Sequence, residues 1–79
     1  KGWSRRSNKL IKAFEFGSFR DSIVFVNRVA TLADLHDHHP DIDVRVEKVT
    51  LTLSTHDAGG ITEKDIKLAE QIDFATSTH

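Results

Sequence analysis

Apolar positions change their spacing along the chain, and the changes mark its elements. Between Lys9 and Phe16 the pattern alternates. Leu10, Lys12, Phe14 and Phe16 share one parity, and Phe14 and Phe16 assign it the buried face of a strand. Ahead of it, Trp3 stands among Gly2, Ser4, Ser7 and Asn8, which predicts a short edge strand followed by a turn. Gly17 ends the alternation. Ser18-Phe19-Arg20-Asp21 then has the form of a capping box. Phe19, Ile23, Val26, Ala30 and Ala33 follow at helical spacing, so this stripe is expected to be the buried face of an amphipathic helix. The helix should end near Asp37, because Pro40 disfavours helical geometry at His39.

The next segment breaks phase. Ile42, Val44 and Val46 are apolar at even positions, whereas Val49, Leu51 and Leu53 are apolar at odd ones. One straight strand cannot bury both sets on one face. A tight turn or a bulge must fall at Glu47-Lys48. Glu-Lys is a poor two-residue loop, which favours a bulge or sharp bend. Asp57-Ala58-Gly59-Gly60 reads as a loop. Thr62-Glu63-Lys64-Asp65 is a second capping box, and Ile66, Ala69, Ile72 and Ala75 are the expected buried stripe of a last helix that frays from Thr76. The order β-β-α-β-β-α predicts an α+β fold, an antiparallel four-stranded sheet with helices packed on one face. Residues 1–79 read as one domain.

Size and composition narrow the classes. A chain of 79 residues has a thin core and buries only ~60–65% of its unfolded surface. With no cysteine, it has neither disulfides nor thiolate metal ligands. Self-association, as a homodimer or homotetramer, is the expected substitute. The longest apolar run, Ile23-Val24-Phe25-Val26, is too short to cross a bilayer, and no secretory signal is visible. A cytoplasmic, membrane-free protein is expected. The net charge of -1 argues against nucleic acid as a partner, although five of the first twelve residues are Lys or Arg.

The candidate chemistry lies in Asp34-Leu35-His36-Asp37-His38-His39-Pro40, answered by Thr55-His56 and Asp65. Four of the five histidines fall within this region. Imidazole exchanges protons near neutral pH, so the pattern points to general acid and base work. Asp34 and His38 share a helix face if the helix persists, and the carboxylate is then placed to orient that imidazole. No serine has the surroundings of an acyl-transfer nucleophile. The structural alternatives are simple ones: Asp65 as a helix cap, His56 as a strand end, Asp34 as a solvated helix residue, His36 and His79 as surface residues, and Trp3 with the phenylalanines as core or oligomer contacts. A metal site among His36, His38, His39, Asp34, Asp37, Asp41 and Asp43 is the chemical rival, but no His-x-x-x-His spacing supports it.

Taken together, Asp34, His38-His39-Pro40, Thr55-His56, Gly59-Gly60 and Thr62-x-x-Asp65 resemble the pterin-4a-carbinolamine dehydratases. Gly2-Trp3, the Phe14-x-Phe16 strand and Leu51-Thr52-Leu53-Ser54-Thr55-His56 extend the resemblance over nearly the whole chain. It departs from the family pattern at Asp34, Ile42 and Val46, where glutamate and two aromatics are usual, and it is expected to lack the family's upstream helix.

The resemblance implies removal of water from a 4a-hydroxy-tetrahydropterin to give a quinonoid dihydropterin, in tetrahydrobiopterin recycling. It casts His38 and His56 as acid/base residues, His39 as a residue that binds or polarises the pterin, and Asp65 as support for the catalytic set. Asp34, Pro40 and Thr55 fall on the substrate side. It implies no metal and no cofactor, since the pterin is the substrate. The competing class is a binding module, because relatives of this fold serve as transcription-factor dimerisation partners or Rubisco assembly chaperones.

Overall fold

The computed structural model describes residues 2–77, apart from the side chain of Ser77. In chain order it contains β1 (Ser4–Arg6), β2 (Lys9–Glu15), α1 (Phe19–His36), β3 (Asp41–Arg45), β4 (Lys48–Leu53), a 3-10 turn (His56–Ala58) and α2 (Glu63–Ser77). The strands form one antiparallel sheet in the order β1-β2-β4-β3. The β-β-α-β-β-α order and the α+β class are those expected. The helix continues past Thr76, where fraying was expected, and His79 lies outside the described residues.

The break in phase at Glu47-Lys48 is a two-residue hairpin rather than a bulge. Arg45 pairs with Lys48 and Val44 with Val49, so the loop residues are Val46 and Glu47. An even-numbered residue on β3 thereby faces an odd-numbered partner on β4, which puts Ile42 and Val44 on the same face as Leu51 and Val49. Glu-Lys is a poor loop, but Lys48 belongs to the strand, and Val46 enters the left-handed region at φ 52°. Hairpin twist favours a positive φ at a loop's first position, and a β-branched residue accepts it only with strain.

The inner face of the sheet carries Phe14, Val49, Leu51 and Leu53, all buried. Full burial of a leucine of this kind contributes about 1.5–3 kcal/mol. Ser18 caps α1, its Oγ accepting the Asp21 N–H at 3.1 Å. The buried stripe of α1 is Ser22, Phe25, Val29 and Ala33. Of the expected stripe only Ala33 is fully buried, and Phe19 and Ala30 are exposed. The apolar arc of α1 is wide, and Phe25 turns it by packing between Phe14 and Phe16, at ring-centroid distances of 4.7 and 5.0 Å. Similarly, α2 buries Asp65, Leu68, Ala69 and Ile72 and leaves Ile66 exposed. Neither Leu68 nor an inward-facing carboxylate was expected in that stripe, and both lie on the buried face.

Two contacts hold the outer parts of this layer. Asp73 of α2 accepts from the Trp3 indole Nε1 at 3.0 Å and from Lys12 Nζ at 2.9 Å. Trp3 also meets Phe14 edge-on, at 6.1 Å between centroids. Trp3 is thus a core-edge anchor, tied to the last helix across 70 positions.

Candidate active site

The site forms where the end of α1, the end of β4 and the start of α2 meet. The end of α1 is shaped by Asp37, which takes φ 50°. The Asp37 N–H bonds the Asp34 carbonyl at 3.3 Å, and the His38 N–H bonds the Ala33 carbonyl at 3.0 Å. This pair of bonds is a Schellman closure with aspartate where glycine is usual. It turns the chain sharply, so His38 is carried off the helix face it was expected to share with Asp34.

The imidazole of His38 meets the other helix instead. Its Nε2 lies 2.5 Å from Asp65 Oδ1. The His38 side chain is 11% exposed and that of Asp65 is fully buried. Asp65 is the third residue of α2. Its Oδ2 accepts the Thr62 N–H at 2.9 Å, the reciprocal half of a capping box, and the Thr55 hydroxyl at 2.8 Å. The capping role expected of Asp65 and a role toward His38 are therefore met by different oxygens of one carboxylate. Burial works against its ionised form. The hydrogen bonds from His38, the Thr62 N–H and Thr55, with the charge attraction of His38, outweigh burial and hold its pKa below the usual aspartate value.

Thr55 is the hinge between strand and loop. Its backbone pairs with Gly60, with Thr55 N–H to Gly60 O at 2.8 Å and Gly60 N–H to Thr55 O at 3.2 Å. These bonds pin the 3-10 turn opened by His56, and Gly59 closes it at φ 73°. A side chain at residue 60 would come within 3.2 Å of Asn8 Cβ, so glycine there lets the β1–β2 loop brace the turn. His56 itself is exposed, one residue beyond the buried cluster.

His39 and Asp34 form a separate pair, with His39 Nε2 3.0 Å from Asp34 Oδ1. Both are largely exposed, at 62% and 78%. Asp34 therefore meets His39 and not His38, which corrects the helix-face expectation. Pro40 is half-buried, and it joins this pair to β3. Among the described residues, no three His, Asp or Glu side chains gather into a metal site. The acids and histidines crowded in sequence are spread apart by the αL turn and by the strand. A cleft of about 470 Å³, floored by Phe16, Val24 and Phe25 and flanked by Arg28, lies elsewhere and includes none of the histidines.

One participant was read from the sequence only as a cap. The Thr62 hydroxyl lies 2.8 Å from that of Thr55 and accepts the Lys64 N–H at 3.3 Å. The signal available was the second capping box, but its tie to Thr55 depends on loop closure.

Comparison with known proteins bears on the family and the fold. Residues 1–75 match the family model described as pterin 4 alpha carbinolamine dehydratase. A protein of Roseiflexus sp. (strain RS-1), provisionally named pterin-4-alpha-carbinolamine dehydratase, is 57% identical over 91% of this chain and 77% of its own. One of the same provisional name in Sulfolobus acidocaldarius is 51% identical over 90% of this chain and 78% of its own. The crystal structure of a Brucella melitensis protein, described as a transcriptional coactivator/pterin dehydratase, superposes with a TM-score of 0.88 at 32% identity, covering 92% of this chain and 80% of that one. A pterin dehydratase-like protein described as a RuBisCO assembly factor in the alpha-carboxysome superposes with a TM-score of 0.73 at 26% identity, over 90% and 82% of the two chains. The chain belongs to the pterin-4a-carbinolamine dehydratase family.

Proposed function

We propose that the protein removes water from a 4a-hydroxy-tetrahydropterin by histidine acid/base catalysis. The observation that carries this reading is the His38–Asp65 contact beside Thr55-His56. In the reaction the C4a–O bond breaks, the oxygen leaves as water after receiving a proton, and an adjacent ring nitrogen loses a proton as its double bond to C4a forms. A carboxylate can only accept, so Asp65 takes a proton-bearing Nε2, and Nδ1 is the nitrogen left to gain or give up the exchangeable proton. His38 Nδ1 is then suited to remove the ring-nitrogen proton. His56, exposed at the start of its turn, is suited to protonate the departing hydroxyl. His39, steadied by Asp34, contributes polar contact to the pterin, with Pro40 and Thr55 bordering the substrate. No metal or organic cofactor enters this scheme. The setting proposed is cytoplasmic recycling of tetrahydrobiopterin.

The site is open in a single chain, and α2 exposes Ile66 and Phe74. A homodimer or homotetramer is proposed, in which such side chains and the thin core of a short chain would gain cover. The test of function is loss of freshly generated 4a-hydroxy-tetrahydropterin, followed by absorbance against its uncatalysed decay. Acceleration at substoichiometric protein is expected, and decay at the uncatalysed rate in the presence of folded protein would remove the proposal.

A second reading is a binding or assembly module. It is favoured by the likeness to the RuBisCO assembly factor. We rank it second because the chain keeps His38, His39 and His56 together with an acid against His38, a set suited to proton transfer.

A further inference from the structure

We infer that Thr62 is a positioning residue of the histidine site: its hydroxyl and that of Thr55 form a one-way donor chain that ends on Asp65 and selects which ring nitrogen of His38 carries the proton. The inference deepens the dehydratase reading and rests on it for its catalytic consequence, whereas the proton order belongs to the free protein.

The order follows from the number of protons available. Asp65 Oδ2 receives the Thr62 N–H at 2.9 Å and lies 2.8 Å from Thr55 Oγ1. An ionised carboxylate has nothing to donate, so the Thr55 hydroxyl proton is committed to Oδ2. Thr55 has no second hydroxyl proton. The 2.8 Å contact between Thr55 Oγ1 and Thr62 Oγ1 must then be donated by Thr62. The Thr62 oxygen in turn accepts the Lys64 N–H at 3.3 Å. The direction is Lys64 N–H to Thr62, Thr62 to Thr55, and Thr55 to Asp65. With Oδ2 held by these donors, Oδ1 remains for His38 Nε2 at 2.5 Å. Successive hydrogen bonds of one sense polarise each other, so removing the first hydroxyl weakens the last acceptor contact as well. It also frees the Thr55 hydroxyl to turn away from Oδ2. Among the described residues the exposed Asp34–His39 pair has no comparable backing, which separates a fixed imidazole from an adjustable one.

The test uses ring 15N and 1H chemical shifts of His38 in the wild type, Thr62→Val and Thr62→Ser, with thermal melts to verify folding and dehydration rates against pH. The wild type is expected to show a single tautomer, protonated on Nε2, with a strongly downfield ring proton. Thr62→Val is expected to move that proton upfield, mix the tautomers and lower kcat/KM by about 2–10-fold, the effect of one neutral hydrogen bond. Thr62→Ser should restore all three readouts. Should valine prevent folding, Thr62→Ala is read in the same way. Unmoved His38 shifts in a folded Thr62 variant would overturn the inference. A shift response to Thr62→Val, with no dehydratase activity in the wild type, would keep the donor chain and remove the dehydratase reading. Activity with unmoved shifts would do the reverse.

Discussion

His38 Nε2 lies 2.5 Å from Asp65 Oδ1, joining the end of one helix to the start of the other across 27 positions. The carboxylate is fully buried, and its remaining oxygen is occupied by Thr55 and the Thr62 N–H. Replacing Asp65 with asparagine keeps the shape but offers an amide where an anion stood. Dehydration should fall by about 10²–10⁴-fold, the range seen when an imidazole loses its orienting acid. Turnover kinetics of the folded variant check this, and a loss below tenfold would remove Asp65 from the mechanism.

The exposed histidines should separate activity from stability. His56→Ala is expected to reduce turnover by about 10²-fold or more, as loss of a general acid does. Its melting temperature should stay close to wild type, because surface substitutions generally change stability by under ~0.5 kcal/mol. Asp34→Asn should act on KM more than on melting, since an exposed ion pair of this kind contributes little to folding. Steady-state kinetics paired with melts distinguish the two.

Acid stability follows from two carboxylates. Burial opposes ionisation of Asp73, but hydrogen bonds, those of Lys12 and Trp3 among them, together with the Lys12 charge outweigh it and lower its pKa; Asp65 is lowered in the same sense. A folded pKa below the unfolded one means that the native state holds fewer protons. The stabilisation is complete above the unfolded value of about 4 and is lost as pH falls from there through the folded values. Urea unfolding between pH 2 and 7 should show this decline. Asp73→Asn should flatten it, and an unchanged slope in that variant would contradict the assignment.

The Asp73 anchor should matter for folding rather than chemistry. Lys12→Met removes one cation that faces Asp73, in a pair only about one quarter exposed, and weakens the compensation of that carboxylate beside Trp3. A loss of about 1–3 kcal/mol is expected, with dehydration kinetics retained at temperatures where the variant is folded. Denaturant titration measures the first and the absorbance assay the second.

Val46 provides a gain. Its left-handed φ of 52° suits glycine far better than a β-branched residue, and the side chain is 65% exposed. Val46→Gly should leave stability unchanged or raise it by up to about 1 kcal/mol, relief of strain outweighing the freedom glycine adds to the unfolded chain. A clear drop in denaturation midpoint would show that the Val46 side chain holds a contact of its own.

Much of this protein was legible in one dimension. Alternation at Leu10–Phe16, the Ser18 cap, the change of parity between Val44 and Val49, and Thr62-x-x-Asp65 follow from backbone geometry over a few residues, so local pattern suffices to order the strands and helices. The residue types of the histidine cluster were equally plain, because few other side chains exchange protons near neutral pH. Other features depended on neighbours distant in sequence. The face each helix buries goes with Phe25 packing between Phe14 and Phe16 and with Leu68 and Asp65 turning inward, all of them contacts with other elements. Whether the parity change was a bulge or a hairpin depended on Val46 accepting a strained φ, which no propensity favours. The pairing of the histidines depended most on tertiary structure. Spacing alone assigned Asp34 to His38, but the αL turn at Asp37 moved His38 to Asp65 and left Asp34 to His39. A helix end can redirect the next side chain by a single dihedral angle, and only the packed partner determines where it comes to rest.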